Sequence, residues 1–162
     1  MMTDHQQKTE MRVGVISDTH GLLRPEAIVA LTNSDLILHA GDIGKPEVLQ
    51  GLQAIAPTIA VRGNNDRGAW AANIPECETV EIGTVHIHLL HIVKELAIDP
   101  KAAGIRVVIS GHSHKPRIEE REGILFLNPG SAGPRRFKLP ISVAELTLNS
   151  AAVQARMIEL GV

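Results

Sequence analysis

Apolar residues come along this chain in short bursts, and most bursts end on a glycine or a polar residue. Met11–Ser17 (MRVGVIS) is nearly continuous and predicts a buried strand. Asp35–Ala40 (DLILHA) and Thr58–Arg62 predict two more. Between them, 25–31 and 45–55 read as helices, each with a proline in its first turn, where the missing N–H costs nothing. Strand and helix alternating in this way predict parallel βαβ units with right-handed crossovers.

Beyond Ala69 the pattern changes. Residues 78–82 and 85–90 flank Gly83-Thr84, a two-residue hairpin signal. Val85-His86-Ile87-His88-Leu89 alternates strictly, which predicts a strand with His86 and His88 on a solvated face. Residues 95–103 read as a helix and 105–110 as another buried strand. Residues 116–122 with 124–127, and 142–148 with 152–160, predict two further hairpins. The expected fold is α/β: two mixed β-sheets packed together, with helices outside. One domain over residues 11–162 is expected, after a polar tail at 1–10 read as disordered, with Met11 as an alternative start.

A chain of 162 residues can bury about 70% of its unfolded surface, so it needs no staple. Aromatics are only 2%, with no tyrosine, so the core must be aliphatic. The same scarcity argues against base stacking, and a net charge of −2 argues against attraction of a polyanion; nucleic acid is not expected as a partner. The single cysteine, Cys77, excludes an internal disulfide and a thiolate metal cluster, which fits a cytoplasmic setting. No apolar run is long enough to span a membrane, and the N-terminus lacks a signal-peptide core.

The polar residues that end the bursts carry the chemistry. Asp18-Thr19-His20, Gly41-Asp42, Gly63-Asn64-Asn65-Asp66, His91 and Gly111-His112-Ser113-His114 each follow an apolar run. Ligands of open α/β proteins bind at the carboxyl ends of strands. Carboxylate, imidazole and carboxamide donors gathered there suit Mn, Fe, Zn, Co or Ni, and suit a closed structural zinc site poorly. Asp18, His20, Asp42, Asn64, His91, His112 and His114 are too many donors for one ion. They are about right for two ions sharing one carboxylate.

The order D-x-H, G-D, G-N-x-D, H, G-H-x-H resembles the calcineurin-like metallophosphoesterase superfamily. Gly-His-Ser-His-Lys-Pro, Asn128-Pro129-Gly130-Ser131 and Pro134-Arg135 look like its small bacterial and archaeal phosphodiesterase branch. The resemblance implies a four-layer αββα sandwich and a metal-dependent hydrolase. It implies one metal held by Asp18, His20, Asp42 and His114, and a second held by Asp42, Asn64, His91 and His112, with Asp42 shared. Two such cations, manganese first among the candidates, lower the pKa of a bridging water and clamp a phosphate ester. Asn64, His112 and Asp66 are the candidates for catalytic contact, and a small phosphate ester is the expected substrate. The chain departs from the pattern twice. Asn65 stands where many members have a histidine as general acid, and Ile92 stands where the branch usually has glycine after the ligand histidine.

Several residues carry a plainer reading. His39 is expected to be structural, Trp70 to be packing, and Arg135 and Arg136 to be solvated charges. Asp66 either meets substrate or caps its loop, and Asn128–Ser131 is either a turn or a phosphate-facing loop. Two other functions compete: a protein-binding scaffold like the retromer subunit that shares this fold, and a nuclease. A complete donor set speaks against the first, and the charge balance and short chain against the second. A homo-oligomer is left open.

Overall fold

The computed structural model describes residues 10–162. The tail expected over 1–10 lies outside the described residues except for Glu10, which opens the first strand. In chain order the elements are β1 (Glu10–Ile16), α1 (Pro25–Leu31), β2 (Leu36–His39), α2 (Pro46–Gln53), β3 (Thr58–Ala60), β4 (Cys77–Ile82), β5 (Val85–Leu90), β6 (Val107–Ile109), β7 (Arg117–Arg121), β8 (Ile124–Asn128), β9 (Ser142–Asn149) and β10 (Ala152–Glu159). Both helices begin on proline, and the preceding residues, Arg24 and Lys45, are extended. A residue before proline is pushed out of the helical region, so the helix starts sharply.

Two five-stranded sheets result, ordered β10-β9-β1-β2-β3 and β4-β5-β6-β8-β7. Both are mixed: β1, β2 and β3 run parallel, as do β5, β6 and β8, and antiparallel strands complete each sheet. Alternate residues of the two sheets meet in the main core, where Val13, Val15 and Leu38 of one face Ile87, Val107 and Leu127 of the other. That cluster is entirely aliphatic, as composition demands. The helices cover the outer face of the first sheet, burying Ala27, Leu31, Val48 and Leu52 against Ile16, Ile37 and Val143. The candidate donors come from the carboxyl ends of parallel strands in both sheets: Asp18 and His20 follow β1, Asp42 follows β2, Asn64 follows β3, His91 follows β5, and His112 and His114 follow β6.

The outer face of the second sheet differs from expectation. The helix expected over residues 95–103 does not form. The segment makes a 3₁₀ turn at Val93–Glu95 and then a series of turns. Pro100 cannot continue a helix begun before it, and the Asp99 carboxylate takes the Lys101 N–H instead. Val93 and Leu96 still cover Leu90, Ile105 and Val108. That cover explains a second correction. His88 shares a strand face with Leu90, and the face is not solvated: His88 is buried, its Nδ1 is 2.9 Å from Thr79 Oγ1, and burial pushes its pKa down. His86 remains half-buried, near Glu81.

Candidate metal centre

Two groups of donors form at the strand ends: Asp18 with His20 and His114, and Asp42 with His91 and His112. The two groups adjoin. Asp18 Oδ1 lies 3.3 Å from His114 Nε2 and 3.8 Å from both His20 Nε2 and His91 Nε2. Asp42 Oδ2 lies 3.2 Å from His91 Nε2 and 3.8 Å from His20 Nε2, so it reaches toward both groups. Asn64 is exposed and lines a cavity with His91.

The backbone aims these side chains by an unusual route. Asp18, His20, Asp42, His112 and His114 all have positive φ, between 47° and 71°. Non-glycine residues enter that region rarely and at a cost, and such strain concentrates at functional sites. Close approach adds a second constraint. A Cβ on Gly63 would run into Asp42 Oδ1, and one on Gly111 would run into Ser17 Oγ and Asp18 Oδ2. The glycines before these donors let separate loops close on one point.

Polar groups beneath the donors hold them. Ser17 Oγ donates to Asp18 Oδ2 at 2.7 Å, and the His112 N–H donates to the same oxygen at 3.0 Å. The Asn65 N–H donates to Asp42 Oδ1 at 2.9 Å and its amide nitrogen to Oδ2 at 3.1 Å. His91 Nδ1 donates to the Ala40 carbonyl at 2.7 Å, which leaves Nε2 as the lone-pair nitrogen of the neutral ring. Ile92 adopts an ordinary extended conformation, φ −112°, and does not displace His91.

Asp66 is buried, and its carboxylate accepts the N–H groups of Ile43, Gly44 and Gly63. It fastens the Asn64–Asn65 loop to the loop after Asp42. Asn128 donates to the Gly111 carbonyl at 2.9 Å and Ser131 Oγ to the Asp18 carbonyl at 3.0 Å, so the Asn128–Ser131 segment buttresses two donor loops. Trp70 packs beneath the helices, and Arg135 is tied to the Leu139 and Val162 carbonyls. Sequence reasoning missed Ser17 as a support, since a small polar residue at a strand end is too common to single out, and it marked Asn128–Ser131 as a turn or a phosphate-facing loop without seeing its buttressing role.

Four buried polar atoms here have no hydrogen-bond partner: Asp18 Oδ1, His20 Nε2, His91 Nε2 and His114 Nδ1. Each would cost about 1–3 kcal/mol if left so. Only one further such atom, on Arg106, occurs among the described residues. Three of them converge, since His20 Nε2 and His91 Nε2 each lie 3.8 Å from Asp18 Oδ1, and a carboxylate oxygen among ring nitrogens fits divalent cations.

The charges respond to their proximity. Burial alone would raise the Asp42 carboxyl, but its close approach to His91, the Asn65 N–H and the His91 and His20 charges hold it down at about 2. Burial likewise opposes ionisation of Asp18, and His114, His91 and Ser17 outweigh it. His91 is raised: burial works against its charge, and Asp42 and Asp18 prevail. Two carboxylates thus stay ionised, as metal binding requires.

Residues 11–151 match the calcineurin-like phosphoesterase superfamily domain. The chain is 37% identical to a probable metallophosphoesterase of Methanothermobacter thermautotrophicus, over 93% of this chain and 94% of the relative. Its structure superposes on an archaeal phosphodiesterase with a TM-score of 0.76 at 25% identity, covering 91% of this chain and all of the other. It superposes on zinc-bound Vps29 of Entamoeba histolytica with a TM-score of 0.72 at 25% identity, covering 93% of this chain and all of the other.

Proposed function

The chain belongs to the calcineurin-like phosphoesterase superfamily, a family of metal-dependent hydrolases, and on that footing we propose that it is a dinuclear phosphodiesterase acting on small phosphate esters. The observation that carries this reading is the convergence of three buried, unpartnered atoms, with His20 Nε2 and His91 Nε2 each 3.8 Å from Asp18 Oδ1. Asp18, His20, Asp42 and His114 would hold one ion, and Asp42, Asn64, His91 and His112 the other. Asp42 takes the shared position in the family pattern, and its Oδ2, at 3.2 Å from His91 Nε2 and 3.8 Å from His20 Nε2, is compatible with it; Asp18 Oδ1 also lies near histidines of both sets. Two divalent ions there, manganese first, would supply Lewis acidity to the phosphate and acidify an attacking water.

The protein's own part is positioning. Asn64 and His112 are the exposed donors, so they meet the substrate side of the centre. Asn65 donates an amide hydrogen to Asp42 Oδ2, and an amide is too weak an acid to protonate a leaving group. Asp66 acts through the backbone, holding Asn64 and Asn65 in place. Among the described residues no helix is long and apolar enough to cross a membrane, and the reading takes the enzyme as cytoplasmic. The scaffold alternative is not favoured, since every expected donor position carries a ligand-capable side chain.

The test is a metal-by-substrate screen on chelator-stripped protein, with Mn, Ni, Zn, Fe and Co against aryl phosphodiesters and monoesters. The expected result is about two ions per chain and metal-dependent diester hydrolysis. Trace metal content under all conditions would overturn it.

A further inference from the structure

A cavity of about 370 Å³ opens beside His112, against the β7–β8 edge of the second sheet. Lys94, Lys115, Arg117 and Arg121 line it, and no aspartate or glutamate does. Phe126 forms part of the wall, with the Arg121 guanidinium 4.3 Å from the ring centroid. The chain carries a net charge of −2, so this concentration of positive charge is local.

The charge is largely uncompensated. Glu119 pairs with both Arg117 and Arg121 along β7, so one carboxylate serves two guanidinium groups. Lys94 and Lys115 make no ion pair among the described residues. Ser113 Oγ accepts the Lys115 N–H at 3.2 Å and the Asn128 amide at 3.1 Å, which leaves its own hydrogen to donate. On the other side of Ile92, a second cavity of about 380 Å³ adjoins Asn64 and His91. There Arg62 is paired with Glu76 at 3.1 Å, and Glu95 also lines the wall. Two cavities flank the centre, and only one is cationic.

We propose that the cationic cavity is a subsite for a second anionic group of the substrate, so that the natural substrate is a phosphodiester bearing a further phosphate. The inference rests on the phosphoesterase reading. A scissile diester brings a single negative charge, which ions at the centre would meet. Four more cations beside it, sharing one carboxylate, repel one another until further negative charge arrives. Guanidinium forks suit phosphate oxygens in two-point contact. The volume is at the low end for small-ligand sites, roughly 300–1,000 Å³, enough for a phosphate and its linking sugar.

The test compares thymidine 5′-(p-nitrophenyl phosphate) with the same ester phosphorylated at the 3′ oxygen, on the manganese-loaded protein. The expected result is at least a tenfold higher kcat/KM for the 3′-phosphorylated ester, gained through KM. The double variant Lys94→Gln/Lys115→Gln should bring the ratio near one, while Lys138→Gln, on an exposed loop, should keep it. Hydrolysis of both esters at equal kcat/KM would overturn the subsite and leave the phosphoesterase reading standing. Calorimetric binding supplies a readout that needs no turnover. Thymidine 3′,5′-bisphosphate should bind at least tenfold tighter than thymidine 5′-phosphate, and the double variant should lose the gain. If neither ester is cut but this gain appears, the reaction is misread and the anion subsite stands. If inorganic phosphate binds as tightly as the bisphosphate, the cavity is a free-anion site and the proposal falls.

Discussion

His39 Nε2 stands 3.0 Å from Thr19 Oγ1, and through this contact a fully buried ring joins the loop of Asp18 and His20 to the loop of Asp42. The Gly41 N–H donates to His39 Nδ1 at 3.0 Å, and Thr19 Oγ1 donates to the Ile43 carbonyl at 2.8 Å. The ring is therefore neutral, with its proton on Nε2. His39 is structural, as expected from sequence, but what it supports is the centre itself. His39→Leu leaves the Gly41 N–H without an acceptor and should cost about 1–3 kcal/mol of stability. It should also weaken manganese binding about tenfold or more, as lost supporting contacts do. Urea denaturation and metal titration check both; unchanged metal affinity would refute the supporting role.

The same ring makes the metal-free protein sensitive to acid. Burial drives the His39 pKa from its ordinary 6.5 down to about 4, against the pull of Asp18 and Asp66. Between those values the unfolded chain binds the proton more readily than the folded one. The contribution to stability is therefore complete above about pH 6.5 and is lost as pH falls toward 4, on the order of 3 kcal/mol in all. Denaturation midpoints of stripped wild type and His39→Gln, measured from pH 7 to pH 4, should converge as pH falls. Parallel curves would show that His39 does not titrate in that window.

Asp42→Ala tests the shared carboxylate. It removes the oxygen near both histidine sets and the acceptor for the Asn65 amide. Hydrolysis should fall about 10³-fold or more, a loss of several kcal/mol in transition-state stabilisation. Metal analysis should show neither ion retained at full occupancy. A variant that kept two ions would move the shared role to another residue.

Asn65 predicts how the enzyme treats leaving groups. General acid catalysis contributes about 10²–10⁴-fold, and an amide already committed to Asp42 cannot supply it. Rates for a series of aryl phosphodiesters at saturating metal should fall steeply as leaving-group pKa rises. A flat dependence, with chemistry rate-limiting, would reveal a proton donor elsewhere.

Both helices and nearly every strand were legible in the apolar pattern, because Pro25 and Pro46 fix helix starts and glycines punctuate the hairpins. The segment after His91 was not. Its composition favours a helix over 95–103, but Pro100 and the Asp99 side chain compete locally, and the exposed sheet face needs only a few apolar contacts for cover. His88 was misplaced for a related reason: alternation assigns residues to two faces without saying which face another segment will cover. The candidate donors stood out in the sequence as residue types at strand ends, and the structure gathers six of them into two groups. Their left-handed backbone did not stand out, since aspartate and histidine, unlike glycine, do not announce it.

The five donors held at positive φ set a ceiling on how far this protein can be stabilised. Non-glycine residues in that region each store about 1–3 kcal/mol of strain, which the aliphatic core must offset. Selection for thermal robustness alone would favour glycine at those positions and would dismantle the centre as it succeeded. Stability and function are opposed here at the level of single φ angles. An engineer seeking a hardier enzyme should therefore look to the exposed turns at Glu122 and Ser150, where the same backbone conformation carries no donor.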